Sequence, residues 1–370
     1  MKKNIDRFKR KKNKGNIAII SAILLLPILG FCALAIDIGY AFVLKNEVQN
    51  AADATALAAA ACLVNRTECG NQNARFPDWS TAETNGTSFL NKNSVENIPL
   101  TSANVQAGYW NFSSPELGLQ STSITPTLND VPAIQVRIEK SQLINNGGSP
   151  VIFSQFIGIP EIPLSAVSIA VISGPSGVGA GSLFPIAIAK CLYDNYWDPA
   201  TSSPKLATQT NPSGFDLPQT IGEPYKFKIT SSYKVGSCEA GQWTTFLVDN
   251  NSANYLRTLI TNGNPVSTNI LDKTWIQTGS QTTLYPDIQA CSATGNKKCQ
   301  YVFIPVVQFL NAHAFNPVIA FACVQILSAV GGSGKYAVVQ MSAESTKCQI
   351  GGASGGGPNY GARIPPRLVF

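Results

Sequence analysis

The chain has 370 residues, 44% hydrophobic and 13% charged, with a formal net charge of +6. That apolar content can core about two domains and excludes a disordered or low-complexity chain. The positive charge is confined to residues 1–16, which hold eight bases and one acid, Asp6; the remainder is nearly neutral, which argues against a nucleic-acid-binding body.

Residues 1–16 read as a basic cytoplasmic tail, because an apolar segment follows them directly. From Ile17 to Ile36 there are twenty residues without a charge, IAIISAILLLPILGFCALAI. As a helix they rise roughly 30 Å, the thickness of a hydrocarbon core. The bases before this stretch, against the single Lys45 between Asp37 and Asn65, place the N-terminus in the cytoplasm and the rest across the membrane. Pro27 lies mid-span, which membrane helices tolerate, and Asp37 reads as a carboxylate at the interface. An uncleaved anchor ranks first. Cleavage after the Ala33-Leu34-Ala35 pattern ranks second, because the apolar stretch runs on past that site. Prepilin-like processing at Gly15-Asn16 ranks third, since Ile20 stands where that site needs Glu. A lipoprotein at Cys32 ranks last, with bulky Phe31 before it.

Residues 37–65 read as an alanine-rich stalk helix. Between Asp37 and Val64 there is no proline, and Gly39 is the one glycine. Tyr40, Leu44 and Val48 form a stripe at i, i+4, i+8. Eight alanines between Ala51 and Ala61 favour helix and are small enough for close helix approach. Such a surface suits partner helices, including a second copy of the chain. Asn65 and the Cys69-Gly70 region end it.

The run G15-N16-I-A-I-I, then LLLPILGF, A35-I-D37-I-G39-Y, and finally Q49-N50-A51-A52-D53-A54-T55-A56-L57-A58-A59-A60, resembles the N-terminal domain of TadG-like Flp-pilus (tight adherence) assembly proteins. The resemblance implies an envelope protein of the Tad pilus or secretion system. Many such proteins also carry a von Willebrand A domain with an Asp-x-Ser-x-Ser metal motif. The nearest stretch here, Asp249-Asn250-Asn251-Ser252-Ala253, has other residues and spacing.

Residues 66–173 read as a first exported α+β domain. Ala133–Glu139 alternates as a strand, Val151–Ile157 is a short apolar helix or strand, and Leu164–Ile172 is a second strand. The glycine-rich Gly174–Gly181 is expected as a flexible break and domain boundary. Residues 182–350 read as a second, β-rich domain with strands at Phe184–Ala189, Tyr225–Ile229, Thr244–Val248, Tyr301–Val307, Val318–Ile326 and Tyr336–Met341, and a helix at Ala253–Thr261. The order of these runs also looks like exported Tad-like domains. Residues 351–370 are expected as a flexible tail.

Cys32 lies in the apolar segment and the other eight cysteines lie beyond it, an even number suited to disulfides in an oxidising compartment. Short loops favour Cys62–Cys69 and Cys291–Cys299. Cys191–Cys238 and Cys323–Cys348 then follow by elimination, with several buried free thiols as the alternative. His313 is the only histidine, so His-rich metal sites are excluded, and it reads as a loop or structural residue. Gly331-Gly332-Ser333-Gly334-Lys335-Tyr336 lacks phosphate-loop spacing and reads as a turn. Asp194 and Asp198, with Tyr193, Tyr196 and Trp197, make an acidic-aromatic cluster able in principle to hold Ca²⁺ or sugar; a surface loop with a buried Trp is the simpler reading. No catalytic, cofactor-binding or metal residue is assigned, and no cofactor.

The reading is therefore an α+β fold, a long N-terminal transmembrane and stalk helix followed by a β-rich exported region. The expected function is a non-enzymatic, single-pass inner-membrane scaffold of Flp-type pilus assembly or secretion, with its C-terminal region periplasmic or extracellular and other Tad assembly proteins as partners. The alternative is an adhesin, pilus-incorporated or secreted after N-terminal processing.

Overall fold

A computed structural model describes residues 16–64, 67–70, 76–127, 129–153, 155, 158–198, 201–213, 216–230, 241–277, 281–331, 335–344 and 346–370. One helix, α1 (Asn16–Ala61), runs 46 residues without a break, about 70 Å at the helical rise. Its N-terminal half is exposed and apolar, long enough to cross a membrane. Its C-terminal half is the spine of a core. Leu44, Val48, Ala51, Ala52, Ala56, Ala59, Ala60 and, just past the helix, Leu63 are all buried, a spacing of three and four that makes one helical face.

That face lies on a four-stranded antiparallel sheet. Its strands are β1 (Asn104–Asn111), β2 (Asp130–Lys140), β3 (Leu164–Val171) and, at the edge beside β3, Arg367–Leu368 from the end of the chain. Alternation decides which side chain goes where. Ile134, Val136 and Ile138 of β2 join the core beneath α1, while Val131 and Ala133 face the opposite side. A second helix, α2 (Trp79–Leu90), is capped by Asp78, whose carboxylate accepts the Thr81 N–H at 3.2 Å. Gly86 lets α2 approach α1: a Cβ there would stand 3.0 Å from Ala59 Cβ and 2.8 Å from Val105 Cγ1.

After β3 the chain enters β4 (Gly174–Val178) and a larger β structure. Its strands are β5 (Ile186–Ala189), β6 (Lys226–Thr230), β7 (Gly241–Phe246), then β8 (Thr268–Asn269) and β9 (Lys273–Ile276), β10 (Tyr301–Val307), β11 (Ala314–Val330) and β12 (Tyr336–Met341). The seven-stranded sheet has the order β6-β12-β11-β9-β7-β5-β10, and β10 pairs with both β5 and β11. Five strands thereby close into a ring. The 17-residue β11 makes this possible: residues 314–317 pair with β9 and residues 318–325 with β10. Helices α3 (Lys190–Tyr196), α4 (Ala253–Asn262) and α5 (Tyr285–Cys291) complete this part.

Cys62–Cys69, Cys291–Cys299 and Cys323–Cys348 form disulfides with Cα separations of 5.6, 5.0 and 5.6 Å, within the usual range. Cys191 is also disulfide-bonded; Cys238 lies outside the described residues. Cys32 is free and exposed.

Two expectations need correction. Gly174–Gly181 does not form a flexible break. Its first part, β4, pairs with β8 and with β13 (Ser354–Gly357), and its glycines serve close strand approach, since a Cβ on Gly174 would collide with the Pro358 carbonyl. Residues 351–370 are not a loose tail. They supply β13 and β14 (Arg367–Leu368) and bury Tyr360, Ala362, Arg363 and Ile364. Val369 also helps cover the far face of the first sheet. Of the segment Val151–Ile157, expected as a short helix or strand, Gln155 is 3-10 helical, and Ser154, Phe156 and Ile157 lie outside the described residues.

Candidate interaction surface at the helix exit

Where the apolar half of α1 ends, polar side chains tie the helix to the sheet domain. Asp37 is 2% exposed. The backbone N–H groups of Ile152 and Phe153 donate to its two carboxylate oxygens at 2.6 and 2.9 Å. One turn on, the Tyr40 hydroxyl donates to Glu96 at 2.8 Å. The Lys45 ammonium donates to the Ser165 carbonyl, the Glu47 carboxylate accepts the Glu96 N–H at 2.9 Å, and the Gln49 amide donates to the Val167 carbonyl at 3.1 Å. These contacts follow β3 in register: Lys45 at Ser165 and Gln49 at Val167. The strand therefore runs away from the exit, alongside the helix.

Glu96 is the keystone of this collar. With Asn97 it occupies a tight turn at φ of 56° and 62°, a left-handed conformation that costs a glutamate about 1–2 kcal/mol. Its carboxylate also meets the ammonium of Lys140 at 3.0 Å, a lysine only 2% exposed that donates as well to the Gly147 carbonyl at 2.7 Å. Partial burial pushes the Glu96 carboxyl up. The hydrogen bonds from Tyr40 and Lys140 and the lysine charge outweigh it and hold the group below its ordinary value. A lowered carboxyl stabilises the fold above its unfolded pKa, and that contribution is lost as the pH falls through the folded pKa. Glu96→Gln is expected to cost about 1–3 kcal/mol at neutral pH, because Lys140 keeps a buried charge without its partner. Its stability should also vary less with pH below about 5 than that of the parent. Denaturant melts at neutral and acidic pH measure both effects; equal melts for the two proteins would show the pair to be inert.

The alanine face expected to receive partner helices is largely spent within the chain. Ala51, Ala52, Ala56, Ala59 and Ala60 are buried under the sheet and α2, whereas Ala54 is exposed and Ala58 and Ala61 are half-buried. Helix periodicity alone could not say whether the partner was this chain or another.

The acidic-aromatic cluster falls in two places. Tyr193 and Trp197 are buried, and Tyr193 stacks on Tyr360 at 3.9 Å. They line a cleft of about 300 Å³ between the first sheet and the C-terminal segment, together with Tyr109, Asp130 and Asp194. The two acids point to separate partners: Asp194 pairs with Lys190 at 2.6 Å, and Asp198 accepts the Thr201 hydroxyl at 2.7 Å. Among the described residues no three Asp, Glu, His or Cys side chains converge as a metal site. Burial pushes the Tyr360 hydroxyl up to about 12, with Asp194 adding to the shift. Burial also lowers the Arg363 guanidinium to about 10, the nearby Tyr193 and Glu344 opposing it. Arg363 lies over the Phe76 ring at 3.9 Å, which ties the chain's end to the α2 side of the first core.

His313 sits at a left-handed position, φ 56°, with its ring edge-on to Trp275 at 5.3 Å. Asn250 accepts the Ser252 N–H at 2.8 Å just before α4. Residues 331–335 join β11 to β12, antiparallel neighbours, with 332–334 outside the described residues.

The architecture defines a class: a sheet domain built on the continuation of a helix that is apolar enough to anchor it in a membrane. Residues 15–61 match the family model described as Flp pilus-assembly TadE/G-like. Residues 41–170 match the model described as Tad-like Flp pilus-assembly, which spans the buried half of α1, α2 and the first sheet through most of β3. These two matches, which together cover residues 15–170, support a TadG-like Flp pilus-assembly protein. No curated protein and no solved structure is matched.

Proposed function

We propose that this protein is a single-pass, inner-membrane-anchored scaffold of Flp-type pilus assembly or secretion that acts by protein–protein binding and not by catalysis. The carrying observation is that the two Tad matches overlap on one continuous element, α1, which passes from a membrane-length apolar half into the domain core. A rigid helix of this kind fixes the exported domain relative to the bilayer. The basic tail sets the orientation, N-terminus in the cytoplasm. The disulfides suit an oxidising exterior.

The surface left for partner helices, or for a second copy of the chain, is the stripe bearing Ala54 and Ala58. Leucine at either position is expected to reduce piliation about tenfold while leaving the melting curve of the protein within a degree or two, since neither the exposed Ala54 nor the half-buried Ala58 belongs to the core. Normal piliation in both variants removes the packing role. Fractionation with N-terminal sequencing separates the adhesin alternative, which requires a processed chain in sheared fibres or medium.

A further inference from the structure

We infer that the connection bearing Ile152, Phe153 and Ile159 is a second membrane-contact element, these residues seated in lipid beside α1 in the leaflet where that helix emerges. The inference rests on α1 spanning the bilayer. The segment, PVIFSQFIGIP, carries no charge in eleven residues. Its ends are pinned by a short antiparallel ladder, Ser149 with Ile162 and Pro150 with Glu161, and the Glu161 carboxylate accepts the Gly148 N–H at 2.6 Å. The loop then turns onto the helix instead of away from it. Asp37 accepts its Ile152 and Phe153 amides, and the Phe153 ring reaches further down, so that a methyl on Gly30 would stand 3.5 Å from it.

Position 30 is seven residues before Asp37, about 10 Å along the helix and inside the uncharged stretch. Among residues 19–36 only Gly30 and Ala33 are other than exposed. With Asp37 they form one helical face at i, i+3 and i+7, the face the loop covers. A contact at position 30 cannot be made from the aqueous side if the uncharged stretch fills the hydrocarbon. The outward side of the loop is apolar as well: Ile152 is 57% exposed and Ile159 46%. In water such residues form a costly patch, whereas at an interface they anchor it to a depth of about 5–10 Å. Lipid is therefore the occupant that matches both the level of the loop and its chemistry. Asp37 serves the loop by taking two amides that lipid cannot satisfy.

The free Cys32 in the span provides an internal reference for the test. Full-length protein is reconstituted in phosphatidylethanolamine–phosphatidylglycerol liposomes, and an environment-sensitive fluorophore is attached at Cys32, or, on a Cys32→Ser background, at Ile152→Cys, Ile159→Cys or Leu271→Cys. Leu271 is 76% exposed and follows β8, in the part of the chain entered from the end of β3 furthest from the exit. Nitroxide-bearing lipids are expected to quench Cys32 and both loop positions to within about twofold of one another, and to leave position 271 unquenched. Quenching at Cys32 with none at 152 or 159 overturns the loop's insertion while leaving the anchor intact. Absence of quenching at Cys32 overturns the anchor itself, and the loop proposal with it. Having two loop positions keeps the result decisive if one variant fails to fold.

Discussion

Deletion of residues 351–370 is expected to be the most damaging change that leaves the catalogue of strands in the middle of the chain untouched. The segment contributes the edge strand β14 to the first sheet and β13 to the strands around β4. Tyr360 and Ile364 are 3% and 4% exposed, and burial of side chains of that size stabilises by about 1.5–3 kcal/mol each. The deletion also removes Val369 from the far face of the first sheet. It frees Phe76 of its Arg363 partner and takes away the carbonyl of Phe370 that accepts the Ile169 N–H at 2.9 Å. A loss of at least about 4 kcal/mol is a large share of the stability of an ordinary domain. Denaturant unfolding of the full and shortened chains in detergent measures it, and a midpoint unchanged by the deletion would restore the reading of this segment as a loose tail.

The second large effect is expected at Asp37. Alanine there leaves the Ile152 and Phe153 amides without their charged acceptor. Hydrogen bonds to a charged group contribute about 1.5–3 kcal/mol each, so losing two corresponds to about 3 kcal/mol or more, at least a hundredfold in the opening equilibrium of the loop. Hydrogen exchange of those two amides, in protein reconstituted in nanodiscs, is expected to accelerate by that factor. Asp37→Asn, which keeps one acceptor oxygen and loses the charge, should fall between the parent and the alanine variant. Unchanged exchange in Asp37→Ala would show that other groups hold the loop.

The collar explains why Asp37 at the helix exit could be noticed and yet its job missed. A lone carboxylate after an apolar run reads as an interfacial charge, because the sequence shows its neighbours at 36 and 38 and not those at 152 and 153. The same holds for Glu96 and Lys140. They are 44 residues apart, and neither has a charge pattern around it that names the other.

The N-terminal half of the chain was the most legible part, for a local reason. An uncharged stretch of membrane length, a helix without proline beyond its exit and the alanine run are all properties of consecutive residues, and a helix is made of consecutive contacts. The strands at Ala133–Glu139, Leu164–Ile172, Tyr301–Val307 and Tyr336–Met341 were legible because alternation or a dense apolar run marks them, and they are met by β2, β3, β10 and β12. The short loops of Cys62–Cys69 and Cys291–Cys299 likewise signalled themselves.

Residue order alone marks the membrane-length helix, its continuation, the β-rich remainder and the likeness to Tad-type pilus-assembly proteins. Long-range packing settles which partner each surface meets. It assigned the alanine face to the chain's own sheet and turned the glycines of Gly174–Gly181 from a hinge into a close strand crossing. It also brought residues 351–370 back to pair with β3, a strand some 200 residues earlier. The reason is physical. Burial and strand pairing join residues distant in sequence, and small, glycine-rich or terminal segments carry too little pattern of their own to say what they will be buried against.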